Sequence, residues 1–231
     1  MTAKNLRARV RDELTSEIKT IARRQLATDG ADLSLRAVAR ELGMVSSAVY
    51  RYFPSRDDLL TALIIDCYNE LGEAAEQAVA TAGPDSSLME RWLAVGHAVR
   101  DWALAHPADY ALIYGSPVPG YHAPRDTVGP ASRVTIQMLG LLVQGVATGT
   151  IPADPGTPQV PPGLAAELDR FAEQVPGVSR RLLARALTAW SQMFGAVNFE
   201  LFGRLNNLID DSRRELYDVQ LRAMGEYLGL Q

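Results

Sequence analysis

Ser34-Leu-Arg-Ala-Val-Ala-Arg-Glu-Leu-Gly-Met-Val-Ser-Ser-Ala-Val-Tyr-Arg-Tyr-Phe-Pro-Ser-Arg-Asp-Asp-Leu-Leu60 is the stretch on which the fold turns. Ser34 stands where a helix N-terminus needs a side-chain acceptor, and Leu35, Val38, Ala39 and Leu42 then recur at helical spacing on one face. Gly43 supplies the left-handed conformation that closes a helix at low cost. A third helix is expected from about Ser46 to Phe53, and Pro54 stops it by removing a donor and crowding the preceding turn. Val49 and Phe53, four residues apart, anchor that helix to a core and leave Ser46, Ser47, Tyr50 and Arg51 on the opposite side. Two short helices joined by a glycine turn, the second held out from the body, form a helix-turn-helix. Small side chains at its leading end let the backbone enter a major groove, while Tyr50 and Tyr52 can bond phosphates through their hydroxyls. Helix N-termini at Ser34, Ser46 and Ser55 offer N–H groups to the same anions.

Working outward, Leu14, Ile18, Ile21, Ala22 and Leu26 make one stripe of a first helix that Gly30 ends. Ser55-Arg-Asp-Asp58 has the shape of a capping box, and Leu60, Leu63, Ile64, Cys67, Tyr68 and Leu71 continue as a fourth helix. Further helices are expected over Leu88 to Ala105, from Pro107, over about Pro130 to Thr148, Leu164 to Gln174, Ser179 to Leu205 and Asp211 to Leu228. Residues 115–130 read as a loop, and residues 151–162, with five prolines, as a mobile or polyproline-like connection. No alternating strand pattern persists, so the fold is expected to be all-α: an N-terminal three-helix DNA-binding domain followed by a larger helical domain.

Charge is distributed unevenly along the 231 residues. The net charge is −4, yet residues 1–56 carry 11 basic and 6 acidic side chains, against 12 basic and 21 acidic in the remainder. A head of +5 on a body of −9 suggests polyanion contact at one end only. Cys67, the single cysteine, lies in an apolar stripe, which points to inert packing and suits a reducing cytosol. The start, with Lys4, Arg7, Arg9 and Arg11, leads into no apolar run and does not read as a signal peptide. The most apolar stretch, Leu139 to Ala147, is far short of a membrane span, so no membrane partner is expected.

The quoted residues resemble the signature of the TetR family of bacterial regulators. The match runs without a gap over about residues 12–65: a capped helix ending in Leu-Gly, a recognition helix with Val49-Tyr50-x-Tyr52-Phe53, then Pro54-Ser55-Arg56-Asp57-Asp58-Leu59. The resemblance implies a dimer gripping a palindromic operator in double-stranded DNA, with a C-terminal domain that binds ligand and dimerises. It implies phosphate contacts for Ser34, Tyr50, Tyr52 and Arg56, and reach to base edges for Arg36, Ser46, Ser47 and Ala48. Val45 departs from the family pattern by standing where a serine cap is common, and Ser46 is the alternative cap. Arg7, Arg9 and Arg11 resemble a basic arm. More weakly, Trp190, Phe194 and Gly195 resemble the Trp-His-Gly signature of one subgroup, with phenylalanine in place of histidine.

The last two helices bear wide apolar surfaces. Leu183, Leu187, Trp190, Phe194, Val197 and Leu201 form one stripe of the first, and Leu182, Ala186, Ala189, Met193 and Ala196 an adjacent one. One stripe suffices for the chain's own core, so a second copy is expected over the other in a four-helix bundle, with a central helix of a monomer as the alternative. Leu216, Val219 and Ala223 beside Leu221, Met224 and Leu228 repeat the pattern in the final helix.

Trp92, Trp102, Tyr110, Tyr114, Met138, Trp190, Met193 and Phe194 are candidates to line an apolar ligand pocket, with Asn198, and also Gln137, to orient its occupant. The alternative for each is ordinary core packing. His97, His106 and His122 lack metal-ligand spacing, nucleophile and phosphate-loop signatures are missing, and Glu167, Asp169, Glu173 and Glu200 read as solvated, so no cofactor, metal or catalytic residue is expected. Gly140, Gly145 and Gly149 read as sites of close helix packing. The reading is a cytoplasmic, ligand-responsive regulator, with residues 1–56 for DNA and 57–231 for a small hydrophobic ligand and a homodimer. A helical small-molecule enzyme and an effector-independent DNA-binding protein are the rival readings.

Overall fold

The computed structural model describes residues 3–29 and 33–231, and among them every regular element is helical. Helices α1 (Ala3–Asp29), α2 (Leu35–Glu41), α3 (Ser46–Val49), α4 (Arg56–Ala82), α5 (Leu88–Ala105) and α6 (Pro107–Tyr114) are followed by a 3-10 turn at Arg125–Thr127. Helices α7 (Val128–Ala147), α8 (Pro162–Ala172), α9 (Arg180–Leu201) and α10 (Arg213–Leu228) complete the chain. Packing divides it into two compact units, Met1–Tyr68 with His106–Pro130, and Asn69–Ala105 with Ala131–Gln231. Helix α4 supplies residues to both. The division expected at residue 56 concerns DNA contact, whereas packing places its boundary at Tyr68 and adds the segment from His106 to the head.

In the first unit Ile18, Ala22, Val38, Val49, Leu59, Leu60 and Leu63 are fully or almost fully buried together. Removing each of the larger side chains from water is worth roughly 1.5–3 kcal/mol, which holds the short helices α2 and α3, of 7 and 4 residues, that would not persist alone. Leu112, Val118 and Tyr121 pack onto the same core from about 50 residues or more further along the chain, and the Tyr121 hydroxyl meets Thr61 Oγ1 at 2.9 Å. The stripe of Ile18, Ile21 and Ala22 is buried, but α1 begins at Ala3, so Arg9 and Arg11 belong to a helix and not to a loose arm. Gly30 and the side chain of Arg7 lie outside the described residues.

Local signals account for several helix ends. Ser34 Oγ accepts from Ala37 N–H at 3.4 Å, and Gly43 takes φ +66° after α2. The box at α4 forms as expected, with Asp58 N–H donating to Ser55 Oγ at 3.1 Å and that hydroxyl donating to Asp58 Oδ2 at 2.7 Å. A second box, Ser87 with Glu90, starts α5 and was equally legible as Ser-x-x-Glu: Ser87 N–H reaches Glu90 Oε2 at 2.7 Å.

In the second unit α5, α9 and α10 pack on one another. Trp92 is buried and donates its indole N–H to Leu221 O at 2.7 Å. Glycines let helices approach: a Cβ on Gly96 would strike Leu221, and one on Gly225 would strike Met89. Gly145 makes room for Ile151 in the same way, whereas Gly140 meets nothing within 4 Å and Gly149 serves a turn with φ +75°. The expected solvated role of Glu200 is overturned. Its carboxylate is buried and accepts from Arg100 Nε at 2.7 Å and Nη2 at 2.6 Å, joining α5 to α9. Burial pulls the guanidinium's pKa down, and the bonds to Glu200 more than offset it.

The stripe argument for α9 also needs revising. Leu182, Ala186, Ala189 and Met193 are buried, but so are Leu183, Phe194 and Val197, so both expected stripes face the chain's own core. The outward apolar residues are Leu187, Phe199 (56% exposed) and Phe202 (47%), with Val219 (63%) on α10. The connection over 151–162 is anchored: Ile151 is buried, Arg181 Nη1 reaches Asp154 Oδ2 at 2.6 Å, and Arg185 Nε donates to Thr157 O at 2.9 Å.

Candidate nucleic-acid interface

Helix α3 is shorter than its pattern suggested. Regular α-helix spans Ser46–Val49, and the chain then tightens, with Tyr52 N–H bonding Val49 O at 2.9 Å and Phe53 N–H the same oxygen at 3.1 Å. Pro54 keeps the chain from returning to helix beyond Phe53. The N-cap is Val45, in extended conformation and without a side-chain cap bond, so Ser46 is the first helical residue and not the cap. Val49 and Phe53 are buried as anchors, and Ser47, Tyr50 (41% exposed) and Arg51 face outward, with Ser46 and Ala48 half-buried.

Ion pairing sorts the basic residues of the head. Arg9 pairs with Glu13, Lys19 with Asp66 at 2.8 Å, Arg23 with Asp109, and Arg24 with Glu41. Arg56 donates Nε to Leu33 O at 3.2 Å and lies near Asp57, so it ties the chain before α2 to the start of α4. Arg11 lies over the Tyr52 ring at 5.5 Å, and that ring packs on the core. Among the described residues, Arg36, Arg40 and Arg51 are exposed and make no ion pair. Arg40 was not singled out in the sequence, although its position one turn after Arg36 put both on one face.

The ligand candidates fall in both units. Tyr110 and Tyr114 lie in the first, with ring centroids 5.2 Å apart, and Tyr68 meets Tyr114 edge-on at 5.9 Å. Burial holds the hydroxyls of Tyr110 and Tyr114 far above the ordinary tyrosine pKa, so they stay protonated. In the second unit Trp92, Trp102, Met138, Met193 and Phe194 are buried, and Trp190 is half-buried with its ring 5.6 Å from Phe194. Asn198 Nδ2 donates to Phe194 O at 2.9 Å. A cleft of about 560 Å³ lies elsewhere, between the 154–160 loop and the start of α9, where Asp154, Asp169, Arg180 and Arg181 pair across it. His97 Nε2 lies 3.0 Å from Asp218 Oδ1. No group of metal-ligating side chains occurs among the described residues, and no helix among them is long and apolar enough to cross a membrane.

A capped helix, a glycine turn and a short anchored helix on a basic surface define a helix-turn-helix protein with a second helical unit. Residues 20–63 match the model for bacterial regulatory proteins of the tetR family, and residues 92–224 match the tetracyclin repressor-like C-terminal domain. The chain is 39% identical over 223 residues to HTH-type transcriptional regulators of Mycobacterium tuberculosis and Mycobacterium bovis, covering 93% of this chain and 92% of theirs. A crystal structure of the regulatory protein SCO4313 superposes with a TM-score of 0.74 at 33% identity, covering 94% of this chain and 97% of that one. A Rhodococcus sp. RHA1 protein of unknown function superposes with a TM-score of 0.65 at 26% identity, over 91% and 94% of the two chains. The chain belongs to the TetR family and is a transcriptional regulator with a DNA-binding domain. The rival reading as an enzyme gives way to these relatives.

Proposed function

We propose that the chain is a dimeric, ligand-responsive repressor that grips a palindromic operator and is released by a small hydrophobic effector. The observation that carries the DNA reading is the exposed set of Arg36, Arg40, Arg51 and Tyr50 around a helix held by Val49 and Phe53. Ser46, Ser47 and Ala48, small residues at the leading end of α3, reach base edges together with Arg36. Ser34, Arg40, Tyr50, Arg51, Tyr52 and Arg56 serve the phosphates, the last two from partly enclosed positions. Two heads related by a two-fold axis suit half-sites roughly 34–36 Å apart or modestly more.

The effector reading rests on the aromatic and methionine side chains of Trp92, Trp102, Met138, Trp190, Met193 and Phe194 in the second unit, with Asn198 supplying a polar handle, and Tyr110 and Tyr114 form a separate candidate set in the first. Most of these groups are buried, so an effector binds by stabilising a conformer in which they part. Helix α4, shared by both units, is the element through which that shift reaches the head. On the second unit's side it is clamped by Arg133, which donates Nε and Nη2 to Glu76 at 2.8 and 2.6 Å and Nη1 to Asn69 O at 2.8 Å. The regulator acts where its DNA is, in the cytoplasm. Selection of bound genomic fragments, followed by titration with hydrophobic metabolites, tests the whole reading. A recovered palindrome released by one compound is the expected result, and protein with no preference over random duplex at low salt overturns it.

A further inference from the structure

Residues 148–161, between α7 and α8, hold no regular element, and so long an irregular segment in a compact unit is either loose or put to use. This one is held. Ile151 is buried, Arg181 Nη1 donates to Asp154 Oδ2 at 2.6 Å, and Arg185 donates Nε to Thr157 O at 2.9 Å and Nη2 to Thr157 Oγ1 at 2.8 Å. A further bond from Arg185 Nη1 to Tyr227 O at 2.8 Å ties the same guanidinium to the end of α10. The segment so fixed is one wall of the cleft of about 560 Å³, and α8 and the start of α9 form the rest. Small-molecule sites run from roughly 300 to 1,000 Å³, so the space is of the right size before anything binds.

The lining narrows the choice of occupant. Asp154 comes from the irregular segment, Asp169 from α8, and Arg180 and Arg181 from the first turn of α9. Asp154 is fully engaged: Oδ2 takes Arg181, and Oδ1 accepts the Gly156 N–H at 3.0 Å. The second pair is open. Arg180 Nε lies 3.0 Å from Asp169 Oδ1 with both side chains about half exposed, and Arg180 Nη1 and Nη2 and Asp169 Oδ2 meet no polar partner among the described residues. An exposed pair of this kind contributes little, so ligand groups can join it at small cost. Val160, Ala172 and Val178 add an apolar patch to the same cleft. A wholly apolar occupant would strip water from four ionised groups. A simple anion would meet two carboxylates, and a simple cation two guanidinia. Only a molecule carrying both signs satisfies both members of the open pair.

We propose that this cleft is a ligand site for a small zwitterion, an amino acid or dipeptide with an apolar side chain. Its carboxylate accepts from Arg180 Nη1 and Nη2 as a planar fork, its ammonium donates to Asp169 Oδ2, and its side chain lies on Val160, Ala172 and Val178. The Arg181–Asp154 pair keeps its partners and holds the wall in place. The site goes beyond the apolar effector set proposed above and does not depend on it, since none of those side chains lines this cleft.

Calorimetric titration of the full chain without DNA, run at more than one temperature, tests the site. The probes are L-leucine, L-leucylglycine and two fragments of leucine: 4-methylpentanoate, which lacks the amine, and 3-methylbutylamine, which lacks the carboxylate. At least one zwitterion should bind roughly tenfold or more tighter than either fragment, because each fragment forgoes a charge-assisted bond. The tighter of leucine and leucylglycine decides between a free amino acid and a peptide as the source. Asp169→Asn should weaken that zwitterion by roughly tenfold yet improve 4-methylpentanoate, and Arg180→Gln should weaken it yet improve 3-methylbutylamine. A loss of structure would instead weaken every probe together, and the comparison of probes on the unaltered chain needs no variant at all. Failure of both zwitterions to bind at millimolar concentration overturns the site. Fragments that bind as well as the zwitterions, or variants that do not reverse the preference between fragments, overturn the pairing with Arg180 and Asp169.

Discussion

Arg36 and Arg40 sit one turn apart on α2, both exposed and without an ion pair among the described residues, yet their expected roles differ. On the reading proposed above, Arg36 meets base edges and Arg40 phosphate. Arg40→Ala should therefore weaken operator and random duplexes alike and reduce the slope of log affinity against log salt by about one. Arg36→Ala should cost about 1–3 kcal/mol on the operator and much less on random sequence. Titration of both variants on both duplexes at several salt concentrations separates them, and equal losses for Arg36→Ala reject its base-reading role. Tyr50→Phe removes a hydroxyl and nothing else, so its loss should be even across sequences. Arg56 is a contrasting case: with Nε on Leu33 O, its replacement should lower the stability of the head as well as its affinity.

The α5–α9 contact hangs on Arg100 and Glu200, 100 positions apart and both buried. Glu200→Ala strands a buried guanidinium and should cost about 3–5 kcal/mol in urea unfolding, whereas a paired apolar replacement of both residues should cost far less. The clamp on α4 is exposed enough that its contribution is small, but its pH dependence is clear. Hydrogen bonding to Arg133 holds the Glu76 carboxyl below its ordinary value of 4.5. A lowered folded-state pKa means stability that is fully present above 4.5 and is lost as pH falls through the lower, folded value. Glu76→Gln should remove that part of the acid slope, measured by unfolding midpoints across acid pH. Gly72→Ala places a Cβ against Arg133 and should loosen the clamp; if α4 carries the effector signal, the variant binds operator but responds less to effector.

The regulator joins a basic head to an acidic remainder, and the head's surplus is smaller in effect than in count because Asp66 and Asp109, outside residues 1–56, take up Lys19 and Arg23. Binding should be salt-dependent with a slope set by a few residues per head rather than by the full set of basic side chains. To move from one conformer in a hundred to ninety-nine, an effector must favour the released form by about 5.5 kcal/mol, so a weakly discriminating compound should give only partial release however tightly it binds. Fluorescence anisotropy of labelled operator against effector concentration distinguishes these outcomes.

Most helix positions, the caps at Ser34 and Ser55 and the helix-turn-helix were legible in the residues because each is decided within a turn or two. Ser34, Gly43, Pro54 and the Ser55 box act on neighbouring N–H and C=O groups, and apolar spacing of three and four reports the buried face directly. Which charges are spent, which face of α9 is left outward, and how firmly the proline-rich connection is held were not legible. Most of that depends on partners 17 to 100 residues away, such as Glu41 for Arg24, Asp154 for Arg181 and Arg100 for Glu200, brought together only when the helices pack. Glu200 reads as a surface acid by composition and becomes a buried one because a guanidinium on another helix makes its desolvation tolerable. Local geometry is written in adjacent residues; the pairing of distant ones is a property of the folded chain.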